Sequence, residues 1–378
     1  MKKYKVGIIG YGGFGQFLHY WWAKLPNVEV AAISDSREHC ENGQCKSYRN
    51  WKDLVNDPEI DIVSIVTPPA LHAEMACAAL RANKHVLLEK PVATTEEGAR
   101  QILTAQQQTG MMITVDHMLR YNPIIQAFIK LGQSGCFGKL RHAVVNNYAQ
   151  DAALPADHWF WKEELSGGIF IEHGVHFFDI VNALTDQQYS KVYGCSHHRN
   201  EAQRDQVAAM VLYNDGLIAS YYHSFSGPGF LEQTSIQLAY DLAKVEIEGW
   251  MPMKGTIKVL VNGKTKKQLE MIPGWSLTKT ESIKDLGDIS RPEGWGTGPP
   301  EVSQTENGLI FCSGTGYRAD EMITGIFQIQ QTKGQVYGKC IQSILSDLIG
   351  KIENKDHVLT VSFEDAYESL KMAILASK

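Results

Sequence analysis

The chain has 378 residues, 44% of them hydrophobic, with 36 Lys and Arg against 42 Asp and Glu and a formal charge of -6. That length suits two or three domains whose core is large enough to need no disulfide or metal staple. The acidic balance excludes a broad basic surface for nucleic acid and a polybasic anchor for a membrane. The seven cysteines are odd in number, scattered from Cys40 to Cys340 and without a CxxC pair, so they read as free thiols of a reducing compartment. No run of about 18 apolar residues is present to span a bilayer. The opening MKKYKVGIIGYGGFG has the basic-then-apolar order of a signal peptide, but glycines interrupt the apolar stretch, and the expectation is a cytoplasmic protein.

In chain order, Tyr4 to Ile9 reads as a strand, Gly10 to Gly15 as a glycine loop, and Phe14 to Leu25 as a helix stopped by Pro26. Strands follow at 28–33 and 61–66, the latter ending in Thr67-Pro68-Pro69, then an alanine-rich helix over 71–82. A strand over 84–88 leads into Glu89-Lys90-Pro91, a helix capped by Thr94 or Thr95 runs to about 108, and a strand covers 111–115. This alternation with short connections predicts a parallel sheet with right-handed crossovers over residues 1–118. Beyond it the pattern changes: a helix at 122–131, a strand at 138–148, a helix at 170–184, then strands at 207–213, 217–222, 234–239 and 244–248. Asn214-Asp215-Gly216 marks a hairpin. Residues 119–378 are therefore expected to form an α+β domain on a largely antiparallel open sheet. The segment 289–316 reads as a long loop, and helices are expected over 319–352, with a break, and 363–376.

The loop Gly10-Tyr11-Gly12-Gly13-Phe14-Gly15 fits GxGxxG, and its place between a strand and a helix makes it informative. Gly10 permits the tight turn, Gly12 lets backbone approach a pyrophosphate, and Gly15 lets the helix close on the strand. The helix N-terminus offers unpaired N–H groups to phosphate oxygens. Asp35, twenty residues past Gly15, can accept hydrogen bonds from ribose hydroxyls and repel a 2′-phosphate, which favours NAD. Arg37, next to Ser36, can bind such a phosphate, so NADP stays open.

These residues, together with IVTPPALHAEMACAALRANKHVLLEKPVA (65–93 at its close), LRYNP, GGIFIEHGVHFFDIV and SFEDAYESLKMAILAS, resemble the Gfo/Idh/MocA oxidoreductase family over the whole chain. The resemblance implies an N-terminal Rossmann domain, an NAD(P) cofactor, and a sugar, cyclitol or related polyol as substrate. It also implies a homodimer or homotetramer built on the open sheet. Members that hydrolyse glycosides through transient oxidation, and non-catalytic sensors of NAD(H) or sugar, are the alternatives within the resemblance.

Lys90 closes a parallel strand at the edge where open α/β sheets bind ligands. An ammonium there can stabilise the alkoxide that develops as hydride leaves a carbinol carbon. The resemblance places Lys90 beside the nicotinamide, assigns Glu89 to the cofactor and implies a cis proline after Lys90. Glu172 and His176 are four apart on a predicted helix, so they share a face: the imidazole can move a proton near neutral pH and the carboxylate can hold its tautomer. The family more often carries Asp at the Glu172 position, one methylene shorter. With Lys90 these two form the expected catalytic set. His173-x-x-His176 with Glu172 also has metal-ligand spacing, but without a third ligand class no metal is expected. Thr67, Pro68 and His72 resemble the family's loop under the cofactor, and Gly13 and Phe14 of the glycine loop and Ser36 after Asp35 are further candidates for cofactor contact. Tyr121, Trp161, Lys162 and His173 are the remaining candidates for substrate contact, and Asp179 is expected to be structural.

Overall fold

The computed structural model describes residues 2–37, 45–283, 305, 306 and 309–378. The first domain is built from β1 (Tyr4–Ile9), α1 (Gly13–Trp22), β2 (Val28–Ser34), β3 (Lys46–Tyr48), α2 (Trp51–Asn56), β4 (Ile62–Ile65), α3 (His72–Arg81), β5 (His85–Leu88), α4 (Glu96–Thr109) and β6 (Ile113–Val115). Its six strands lie in the order β3-β2-β1-β4-β5-β6, and every neighbouring pair is parallel. β4 is buried along its whole length because helices cover both faces, which is why it reads as an unbroken Ile-Val-Ser-Ile run rather than an alternation. Thr95 caps α4 by accepting from the Gly98 amide, and Gly110 ends it in the left-handed region at φ 69°. The register continues past the strand ends: Val66 donates to Ile9, Glu89 to Ile65 and Asp116 to Leu88. These three residues therefore leave the sheet at one common edge.

The second domain adds α5 (Pro123–Gln133), β7 (Leu140–Gln150), α6 (Glu163–Ser166), α7 (Val175–Ala183), β8 (Tyr189–Asn200), β9 (Gln203–Tyr213), β10 (Ile218–Gly227), β11 (Gln233–Tyr240), β12 (Ala243–Glu248), β13 (Lys254–Val261), α8 (Gly263–Gln268), β14 (Trp275–Ser282), β15 (Thr305–Glu306), β16 (Leu309–Cys312), β17 (Thr315–Tyr317), β18 (Glu321–Gln328), α9 (Lys333–Glu353) and α10 (Phe363–Ala376). Nine of the strands form an open sheet, β14-β18-β13-β12-β11-β7-β10-β9-β8. It is antiparallel except where β10 runs beside β7. One face is covered by α7, whose Phe178 ring lies 4.4 Å from Tyr221 of β10.

Two expectations need correction. The stretch 319–352 is not one interrupted helix: residues 321–328 form β18, with Ile323, Gly325 and Phe327 buried at period two. The helix begins only after Thr332, which forms a capping box with Gln335. The expected loop over 289–316 lies partly outside the described residues, and its described part belongs to the small sheet β15-β16-β17.

The two domains are tied by the chain's last third. The Trp22 indole donates to the Ile341 carbonyl of α9 at 2.9 Å, and Gly338 is seated on Trp21 so closely that a Cβ there would come within 2.0 Å of the ring. Just before α10, Val361 accepts from Thr114 of β6. Arg120 is the strut between them. Its Nε and Nη2 each donate to Asp179 of α7 at 2.7 Å, and Nη1 reaches the Thr360 carbonyl at 3.3 Å. Both partners are buried, and breaking such a pair from one side leaves an uncompensated charge. Asp179→Asn is accordingly expected to lower unfolding free energy by about 3 kcal/mol, read from urea denaturation.

Candidate active site

The glycine loop is shaped by contacts that exclude side chains. Gly10 has φ +93°, and a Cβ on it would strike the Val66 carbonyl at 2.4 Å. A Cβ on Gly15 would come within 2.2 Å of the Gly10 carbonyl, so this glycine serves the loop as much as the helix packing. Among the described residues, nothing lies within 4 Å over Gly13, and over Gly12 only the Arg37 guanidinium does, at 3.6 Å. The cradle at the start of α1 is thus open toward solvent. Asp35, at the end of β2, accepts from the Tyr11 amide at 2.9 Å and from Arg37 through both Nε and Nη2. The Arg37 hydrogen bonds hold its carboxyl down to about 2, against the cost of burial. Ser36 is exposed beside it.

A cavity of about 490 Å³ lies between the domains. Its first-domain wall is made by Thr67, Glu89, Lys90 and Asp116 at the common strand edge with Phe14 of α1, and its opposite wall by Glu172, His173 and His176. The Lys90–Pro91 peptide is cis. His72 lies beneath this turn with its ring nitrogens 2.6 Å from the Pro91 carbonyl and 2.9 Å from the Thr67 carbonyl; burial lowers the ring to about 4, so in its neutral form it donates to one of the two. Lys90 reaches across the cavity and donates from Nζ to the Glu172 carboxylate at 2.6 Å and to the Glu172 carbonyl at 2.7 Å.

The Glu172 carboxylate therefore serves Lys90, not the His176 tautomer. The shared-face expectation assumed a regular α-helix, whereas residues Phe170–Gly174 form a π-turn, and the Glu172 carboxylate it carries is taken up by Lys90. His176 Nδ1 is sealed without a hydrogen-bond partner. Its ring lies edge-on to His117 at 5.8 Å and to His173 at 6.4 Å. Burial, then the Lys90 ammonium and the neighbouring imidazoles, lowers His176 far below the usual histidine range, so the ring is neutral at physiological pH. His173 is lowered to about 3 by burial and the Lys90 ammonium. Asp179 holds Arg120, with His117 Nδ1 at 3.9 Å.

Four expected contacts fall elsewhere. Pro68 precedes the cavity-lining Pro69. The Tyr121 hydroxyl donates to Asp347 at 2.6 Å, and Tyr121 does not line the cavity. Trp161 is buried behind the wall, with Nε1 on the Leu154 carbonyl and the Arg199 guanidinium 4.7 Å from its ring. Lys162 is exposed and its carbonyl starts α6. Trp159 takes the aromatic position in the cavity instead, beside Phe225. Asp116, Asn147, Trp250 and Tyr337 also line it and were missed. They follow no spacing rule, since they come from four separate elements, and Trp250 and Tyr337 border a stretch of sequence without a readable pattern. Among the described residues, no helix is long and apolar enough to cross a membrane, and no group of three or more His, Cys, Asp or Glu could hold a metal ion.

Comparison with known proteins agrees with this architecture. A family model described as "Oxidoreductase family, NAD-binding Rossmann fold" matches residues 4–117, and the "GFO/IDH/MocA C-terminal domain" model matches residues 125–239. The chain is 30% identical to 1,5-anhydro-D-fructose reductase of Ensifer adhaerens over 52% of its own length and 62% of that protein. It is 27% identical to levoglucosan dehydrogenase of Pseudarthrobacter phenanthrenivorans over 50% of its length and 52% of that protein. The chain thus spans little more than half the length of the curated relatives it matches. Among solved structures, levoglucosan dehydrogenase in complex with NADH and L-sorbose superposes with a TM-score of 0.74 at 16% identity, covering 100% of this chain and 96% of that one. Myo-inositol 2-dehydrogenase of Lactobacillus plantarum gives 0.71 at 18% identity with the same coverages. At such identities the likeness concerns the fold.

The neutral histidines make stability depend on pH. His72, His117, His176 and His223 are buried, and His173 is half-buried; burial lowers all five below their ordinary 6.5. Below that value the unfolded chain takes up protons the folded chain does not, so stability falls as pH drops. The loss is complete only below the folded values, about 4 for His72 and about 3 for His173. Urea denaturation is expected to show a decline between pH 6.5 and 5 steeper than the ~1.4 kcal/mol per pH unit of one proton. His223→Phe should flatten it.

Proposed function

The chain belongs to the Gfo/Idh/MocA oxidoreductase family, and on that footing we propose that it interconverts a secondary alcohol and a ketone on a sugar, cyclitol or related polyol, using NAD. The observation that carries this reading is the meeting of Lys90, Glu172 and His176 in one cavity at the sheet edge that the glycine loop also faces. The residues present fit a dinucleotide: the positions of Gly12 and Gly13 leave an open cradle at a helix N-terminus, where phosphate oxygens find N–H donors. When bound, the nicotinamide supplies the acceptor or donor of hydride.

Everything else falls to the chain's own side chains. Lys90, held by Glu172, stands ready to stabilise negative charge on the substrate oxygen. His176, kept neutral, accepts the hydroxyl proton in oxidation and returns it in reduction. Glu172 fixes the ammonium rather than the imidazole, a role its extra methylene allows. Trp159 and Phe225 offer apolar surface to the C–H face of a ring substrate. Relatives named for anhydrofructose, levoglucosan and inositol support the substrate class. Asp35 supports NAD over NADP, since its carboxylate stays ionised and would repel a 2′-phosphate. Tyr193, Met210, Ile218 and Ile326 are exposed on the uncovered face of the nine-stranded sheet, which supports a homo-oligomer.

Lys90→Ala and His176→Ala are each expected to lower kcat by at least ~10² on a substrate found by screening polyols. Turnover near wild type in either variant would reject its assigned role. NADH should bind more tightly than NADPH by about tenfold in fluorescence titration, a difference of about 1.4 kcal/mol. Tighter NADPH binding would reverse the cofactor assignment.

A further inference from the structure

Two carboxyl groups in the cavity wall have no part in the chemistry just described. Glu89 follows β5 and Asp116 follows β6, at 8% and 1% exposure. Both oxygens of Asp116 and Oε1 of Glu89 are sealed without a full hydrogen bond, although the Met118 amide faces Asp116 and favours its ionised form. Glu89 Oε2 accepts from the Lys90 amide at 3.2 Å. Leu88 and Val115 are register partners on adjacent parallel strands, so the two carboxyls that follow them leave the sheet side by side into the same cavity. Two bare carboxylates so placed would repel with no water between them, whereas one proton between them removes the repulsion and supplies a missing hydrogen bond. Burial, reinforced by the Asp116 charge, holds the Glu89 proton well above the usual carboxylate range, and burial raises Asp116 as well. The other ionisable groups around the pair are Lys90 on the same turn, Tyr121 from the turn after β6, and Tyr337 and Cys340 of α9. Of these only Lys90 is cationic, and its ammonium is committed to Glu172.

We propose that Glu89 and Asp116 form a one-proton pair that follows the charge of the nicotinamide ring: the pair gives up its proton when the oxidised, cationic ring lies in the cavity and keeps it when the ring is reduced and neutral. This deepens the dehydrogenase reading and rests on it. A cation placed against a wall of low polarity favours the doubly ionised pair, and its neutralisation favours the protonated one. During alcohol oxidation the hydroxyl proton leaves through His176. The pair takes up one proton as the hydride, which carries one negative charge, cancels the ring's positive charge; the hydroxyl proton passed on by His176 equals it in number, so the turnover step releases no net proton and needs no other reactant. Asp116 acts through Glu89 and is a positioning residue.

The test is calorimetric titration of wild type and Asp116→Asn with NAD+ and with NADH, each in two buffers of different ionisation enthalpy near neutral pH. Wild type should release up to about one proton on binding NAD+ and close to none on binding NADH. Its Kd for NAD+ should fall with rising pH by up to about tenfold per unit while that for NADH stays flat. In Asp116→Asn the two cofactors should give equal counts. Infrared difference spectra of wild type need no variant: the C=O stretch of a protonated carboxyl should be present with NADH and lost with NAD+. Equal proton counts in wild type, or a difference that persists in folded Asp116→Asn, would overturn the inference while leaving the dehydrogenase reading intact. Failure of NAD(H) and NADP(H) alike to bind would overturn both.

Discussion

Lys90 and Glu172 are 82 residues apart in sequence and stand on different domains, yet the ammonium of one is 2.6 Å from the carboxylate of the other. A lysine at the edge of a parallel sheet would ordinarily extend into water. Here it is drawn across the crevice by two acceptors, a carboxylate and a main-chain carbonyl, on a turn wound wider than an α-helix. Both side chains are only 14% exposed, so the charge is screened little and its position is well defined. Everything else around the cavity accommodates that contact. His72 secures the turn that carries Lys90, Arg120 and Asp179 hold the helix that follows Glu172, and α9 fixes the first domain against the second.

The cavity floor is notable for what it withholds from water. Imidazoles are stacked edge-on with unfilled hydrogen-bonding positions, and a pair of carboxyls is buried beside them. Each departs from its ordinary titration in the direction that burial dictates, the imidazoles toward neutral and the carboxyls toward protonated. Such a floor costs folding stability, and clusters of this kind gather where a site must handle protons. The same dryness strengthens the Lys90 charge that faces it.

Much of this was legible in the chain. The alternation of short apolar runs with helical segments up to Val115 gave the parallel sheet, because burial on both faces leaves a continuous signature. The glycine loop was legible because the loop carbonyls admit no Cβ at Gly10 or Gly15. Lys90, Glu172 and His176 stood out by type and position. Other elements were opaque. β18 looked helical because Ile323 and Phe327, four apart, fit either period over so short a run. Trp161 and Lys162 looked like substrate contacts, but the turn after β7 buries one and exposes the other, leaving Trp159 at the cavity.

By itself, then, the amino-acid order determined the dinucleotide-type first domain, the antiparallel second domain and the residue types available at their junction. These are consequences of local sterics, of burial periodicity and of turns that only particular residues can make. Which of those residues face one another was decided by tertiary structure. The pairing of Glu172 with Lys90 instead of His176 depends on the end of β5 being brought against the turn before α7. The meeting of Glu89 with Asp116 depends on the adjacency of β5 and β6, and the arrival of Tyr337 and Trp250 on the return of the last third of the chain. Contacts of that kind arise from packing distant segments against each other, and no spacing along the chain records them.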